Sequence, residues 1–270
     1  MSELTLEALL QRDRIIMVAA LAALTALAWA DLAWLADDVA MGGMDMTGFR
    51  MIPAGRDLMM PVGQPWRPME FGYVFAMWIV MMVGMMTPSV APMILIYARV
   101  GRQAAMQGKV FAASGWFAGG YLLAWTGFAL LATSVQWWLE RAALLTPKME
   151  SASNILGATV LTLAGVYQWT PLKQACLSYC RSPLHFIQQY GGFRGDAAGA
   201  LAIGFRHGIF CIGCCGWLMA LLFVGGIMNL RWIAMLAALV LLEKVVPFGW
   251  TIARLAGLVF IGWAGWLLIQ

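Results

Sequence analysis

Seven apolar stretches of about 20 residues, near 15–36, 71–98, 110–136, 153–170, 198–226, 232–249 and 250–269, dominate this sequence. A helix of that length reaches across ~30 Å of hydrocarbon. In lipid every backbone N–H and C=O must find a partner within the chain, which leaves helices or closed barrels. The runs are continuous rather than alternating, so they predict an all-α, polytopic transmembrane helix bundle of about seven spans. Charged residues make up only 11% of the chain, against about 25% in soluble domains, and this agrees. The last two runs are separated only by Pro247-Phe248-Gly249 and read as a tight re-entrant hairpin. Arg12, Asp13 and Arg14 precede the first run and no small-residue cleavage site is clearly placed after it. A retained first helix is therefore expected rather than a signal peptide.

Lys and Arg in the short loops predict orientation. With the N-terminus in the cytoplasm, the inner segments hold Arg12, Arg14, Arg99, Arg102, Lys109, Lys173, Arg181 and Arg194. The outer ones hold Arg50, Arg56, Arg67, Arg141, Lys148 and Arg231, a difference of eight against six. The expected location is the bacterial cytoplasmic (inner) membrane, with the N-terminus inside, the C-terminus outside and lipid as a partner. A net charge of +4 gives no reason to invoke nucleic acid. No solenoid repeat or soluble second segment is evident, so residues 1–270 form one integral membrane domain, within which 37–69 is a Met-rich extramembrane loop.

Inside this apolar background the chemistry is concentrated. His207, Cys211, Cys214 and Cys215 fall within nine residues of the fifth run. Their spacing places His207, Cys211 and Cys214 or Cys215 on one helical face. Thiols with an imidazole form the ligand set preferred by Cu(I), or by zinc as a borderline ion. Cys176 and Cys180 are four residues apart, with His185 five further on, in a stretch expected to be the largest cytoplasmic loop, 171–197. That spacing suits a shared metal or a strained disulfide, or a purely structural pair.

Methionine is the second signal. The chain has 20, and Met41, Met44, Met46, Met51, Met59, Met60 and Met69 lie in the Gly/Pro-rich loop 37–69. Thioethers bind Cu(I) and survive an oxidising face where thiols do not. The alternative is an amphipathic lip buried at the interface. In the second run Met81, Met82, Met85 and Met86 stack ahead of Pro88 and Pro92. Each proline removes a backbone donor, so the helix is expected to bend around a cavity with its freed carbonyls satisfied by other groups. Flexible helix packing is the plainer reading of these methionines. Among charges within spans, Glu243 is expected to neutralise Arg206, bond His207 or relay a proton, and Lys244 to snorkel to the inner surface.

These residues together resemble a bacterial family of predicted metal-binding integral membrane proteins. The resemblance rests on Met77-Trp78-xx-Met81-Met82-xx-Met85-Met86-x-Pro88-Ser89 and on Thr170-Pro171-Leu172-Lys173-xx-Cys176-xxx-Cys180-Arg181-Ser182-Pro183. It also rests on His207-Gly208-xx-Cys211-x-Gly213-Cys214-Cys215-x-Trp217, Met228-Asn229 and Glu243-Lys244. It covers about residues 70–250, two-thirds of the chain. It implies a polytopic fold and metal binding and no stated catalytic activity.

The expected function is Cu(I) transport or delivery, with the outer Met loop, the Met81–Met86 helix, a central His/Cys site and an inner Cys176/Cys180/His185 site in sequence. The expected partners are the metal ion, a copper chaperone and other membrane-complex subunits. Two other classes stay open: an accessory or assembly subunit of a larger complex, and a membrane thiol–disulfide or metal-dependent oxidoreductase. Two His in the chain argue against a multi-His oxidase centre. No catalytic residue is assigned.

Overall fold

A computed structural model describes residues 3–40, 49–54, 59–61, 64–108, 112–147, 149–190 and 195–270. The described chain is helical apart from a short antiparallel hairpin, in which β1 (Phe49–Met51) pairs with β2 (Met59–Pro61). The helices are α1 (Glu3–Ala40), α2 (Pro68–Met106), α3 (Ser114–Arg141), α4 (Asn154–Tyr167), α5 (Pro171–Arg181), α6 (Pro183–Gln189), α7 (Ala197–Ala220), α8 (Leu222–Gly225), α9 (Leu230–Val245) and α10 (Gly249–Ile269).

Among the described residues, five stretches are long and apolar enough to cross a membrane: Arg14–Asp37, Pro68–Ala104, Ser114–Arg141, Ala197–Gly225 and Gly249–Ile269. The expected runs 153–170 and 232–249 instead give helices of 14 and 16 residues, or about 21 and 24 Å at 1.5 Å per residue. The expected loop 171–197 is corrected as well, because most of it is α5 and α6. α4 stops because Pro171 has no N–H to continue the ladder. Thr170 then caps the next helix, its hydroxyl accepting from the Lys173 N–H. Length alone could not show this break, since helix formers such as Leu and Ala lie on either side of it.

The α4–α5 break decides where the second cysteine pair goes. α4 crosses α10 at two glycines, and a Cβ on Gly165 would lie 2.8 Å from the Gly257 carbonyl oxygen. From there α5 packs along α7, with Cys176 against Gly213 and Tyr179 against Phe210. α6 extends the same contact, setting Phe186 against His207. α5 therefore packs beside the middle of α7, and α6 reaches nearer its start.

The closest helix pair is α3 with α7. A Cβ on Gly120 would strike the Leu201 carbonyl, and one on Gly204 would strike that of Phe117. Small residues let backbones approach in this way, and the same crossing brings Tyr121 to Cys211. Despite Pro88 and Pro92, α2 runs unbroken from Pro68 to Met106. The Gly84 carbonyl that Pro88 cannot serve accepts from Trp29 Nε1 of α1 at 3.3 Å. An apolar groove of about 420 Å³ between α1 and α2 lies beside Pro88. Met77, Met81, Met82, Met85, Met86 and Met93 are all buried in the core.

Candidate metal centre

Three sulfurs from two helices converge. Cys180 of α5 and Cys211 and Cys214 of α7 place their Sγ atoms within 4.8 Å of one another, and Cys180 Sγ is 3.8 Å from Cys214 Sγ. A first-row ion held by thiolates at ~2.3 Å in a trigonal plane sets its sulfurs about 4 Å apart. Cys211 and Cys214 are buried and Cys180 is half-buried, so the group is enclosed on the α7 side and reachable past the end of α5. None of the five cysteines forms a disulfide.

Cys211 is the best-served sulfur. Lys244 Nζ of α9 donates to its Sγ at 2.9 Å, and Tyr121 Oη of α3 lies 3.1 Å from it. The same tyrosine hydroxyl reaches the Met86 carbonyl at 3.5 Å, so α2, α3, α7 and α9 all meet at this atom. Lys244 Nζ also donates to Ser89 Oγ at 3.0 Å. This corrects the expectation that Lys244 snorkels outward. A lysine that near the end of a helix has two ways to turn, and a sulfur and a hydroxyl within reach decided it.

Glu243 turns the other way. Its carboxylate accepts from Lys173 Nζ at 2.7 Å and from Gln168 Nε2 at 3.3 Å, and both charged side chains are 2% exposed. The expected Arg206 partner is wrong, because Arg206 lies over the Tyr190 ring at 5.7 Å. Arg181 completes the seam by donating to the Val246 and Pro247 carbonyls at 2.8 and 2.9 Å. It thereby ties the end of α5 to the α9–α10 turn.

The remaining sequence candidates separate from the three sulfurs. Cys215 is buried, with its Sγ 4.0 Å from that of Cys211, but it falls outside the group. Cys176 faces Gly213, and His185 stacks on Tyr179 at 6.4 Å, so the expected Cys176/Cys180/His185 site dissolves and only Cys180 joins the centre. His207 is buried among Phe117, Tyr121 and Phe186, its Nδ1 without a protein partner, and it also lies outside the group. Met81, Met82, Met85 and Met86 are core side chains, and Met86 borders the centre through its carbonyl. Met41, Met44 and Met46 lie outside the described residues. Tyr121, Ser89 and Lys173 were absent from the sequence candidates. Lys173 carried a signal, a cation three residues before Cys176, and Ser89 belonged to the Pro88-Ser89 motif, while Tyr121 carried none.

A helical bundle with five membrane-length apolar helices and a buried three-thiol cluster defines a class: a helical protein equipped for a soft metal ion. The chain belongs to the PpoB2 family of copper chaperones, whose model matches residues 75–267. Neither a curated protein nor a solved structure matches it. The matched region takes in α3 through α9 whole, and with them every residue of the cluster.

Proposed function

We propose that this protein is an integral membrane copper chaperone that holds one Cu(I) between Cys180, Cys211 and Cys214 and passes it to an acceptor protein. The observation that carries the reading is the convergence of those three sulfurs. Three thiolates in a buried site suit Cu(I), whereas structural zinc sites close with four ligands. Cys180, half-buried on the outer side of the cluster, is the ligand an incoming acceptor thiolate meets first. Exchange then runs sulfur by sulfur, with no nucleotide needed, and the sequence has no phosphate-binding loop to supply one.

In this reading the five long helices cross the cytoplasmic membrane, α4 continued by α5 makes a discontinuous pass, and α9 makes a short seventh. The N-terminus lies in the cytoplasm and residues 37–69 face outward, where their methionines collect copper. His207, Cys215 and Met86 lie along the way to the cluster rather than in it. A broken helix flanking a buried ion site is a recurring arrangement in membrane carriers.

The test is anaerobic Cu(I) titration of the detergent-purified protein with copper analysis by mass spectrometry. About one copper per chain is expected, by analogy with compact thiolate sites. The Cys180→Ser/Cys211→Ser/Cys214→Ser variant should retain none while a Cys176→Ser variant binds as the parent does. Copper content that survives the triple change would overturn the site.

A further inference from the structure

We propose that Lys244 makes this centre selective for a monovalent over a divalent ion. The proposal rests on the three-sulfur reading of the site. Lys244 enters the bundle from the last turn of α9, and its ammonium makes two hydrogen bonds, to Cys211 Sγ at 2.9 Å and to Ser89 Oγ at 3.0 Å. The neighbouring Glu243 makes no hydrogen bond to it, because its carboxylate is taken by Lys173 and Gln168. From α3, Tyr121 offers a hydroxyl to the same sulfur, and α5 and α7 contribute only thiols there. Lys244 thus brings one positive charge, hydrogen-bonded to no carboxylate among the described residues, into direct contact with a sulfur of the cluster.

Charge arithmetic gives this contact a consequence. Three thiolates around Cu(I) sum to two net negative charges, and around Zn(II) to one. The cost of holding net charge in a poorly solvating interior grows roughly as the square of that charge. With the ammonium counted, the copper complex carries one net negative charge and the zinc complex none. Remove it, and the copper complex returns to two and the zinc complex to one. The squared charge rises by three for copper and by one for zinc, so the lysine supports the copper complex more strongly. A lysine that merely braced α9 against α7 would support both ions alike.

The experiment measures both affinities on the full-length protein in detergent. Cu(I) is titrated under reductant against a chromogenic Cu(I) chelator, and Zn(II) against a chromogenic zinc chelator. Lys244→Met is expected to shift the Cu(I)-to-Zn(II) affinity ratio towards zinc by at least about ten-fold, the scale of one charge acting at contact distance in a low-dielectric site. Lys244→Arg, which keeps the charge, is expected to hold the ratio within a few-fold of the parent. If Lys244→Met fails to fold, Lys244→Gln tests the same point, keeping a donor for Ser89 without the charge. An unchanged ratio in a folded, uncharged variant that still binds copper through its sulfurs overturns the role of Lys244 alone. Copper binding that persists in the triple Cys→Ser variant overturns the site and this proposal together.

Discussion

Lys173 and Lys244 both carry an ammonium into the interior, and their partners give them different roles. Lys173 sits in a closed pair with Glu243, each 2% exposed. Removing one member of such a pair strands the other charge without water or partner. Lys173→Met should therefore destabilise the protein by about 3–5 kcal/mol. Lys173→Met combined with Glu243→Leu should recover most of that loss, because a buried ion pair is often no better than an apolar replacement. Thermal unfolding in detergent, followed by helical circular dichroism, separates these outcomes, and equal losses in the single and double variants would contradict the pair's role. The sequence marked Glu243 as an ionisable residue needing a partner, and in the structure that partner is Lys173. It named the wrong one, because Lys173 lies 70 residues away along the chain and no local periodicity links α5 to α9.

Among the elements, the α3–α7 crossing and the α4–α5 break do most to build the centre. The crossing depends on having no side chain at Gly120 and Gly204, since a Cβ there would run into the opposing backbone. Gly204→Val should push α3 from α7 and draw Tyr121 away from Cys211, a contact of 3.1 Å. We expect this variant to lose copper affinity by about ten-fold or more, as a shift of order 1 Å costs in a preorganised site. The same change at Gly72, where a Cβ meets nothing within 4 Å, should leave binding unaltered. Copper titration of both variants provides the check. Glycine is common in membrane helices for several reasons, so the sequence alone could not single out these two. The break was similarly obscure. Pro171 and the Thr170 cap were visible, but they were equally consistent with a loop leaving the bundle.

At the scale of the molecule, the proposed function requires copper to reach a centre bordered by α2, α3, α5, α7 and α9, and the side from which it would arrive depends on orientation. The proposed orientation, with the N-terminus inside, rests on the arginine and lysine balance. In a cysteine-free background, a membrane-impermeant thiol reagent applied to whole cells should label a Gln64→Cys variant and not a Gly195→Cys variant. The reverse pattern would invert the molecule, and Cys180 would then be offered to an acceptor on the outer face. Hydropathy found the long helices α1, α2, α3, α7 and α10, because an apolar run of about 20 residues reports on a helix that satisfies all its own hydrogen bonds. It overestimated the regions of α4 and α9, where apolar residues also line packed, shorter helices.

By itself the sequence determined the helical class, the concentration of thiols on α7 and the cost of leaving Glu243 unpaired. Each is a local matter of composition, 3.6-residue periodicity or a buried charge. It also placed Cys211 and Cys214 on one face, since residues three apart on a helix are neighbours wherever the helix lies. Only the tertiary structure decided that Cys180 joins them while Cys176, Cys215, His185 and His207 do not, and that Lys244 turns inward to Cys211. Those outcomes depend on the depth at which α4 gives way to α5 and on how closely glycines let α3 and α7 approach. Both are set by contacts between residues far apart in the chain, and such contacts leave no periodic trace in it.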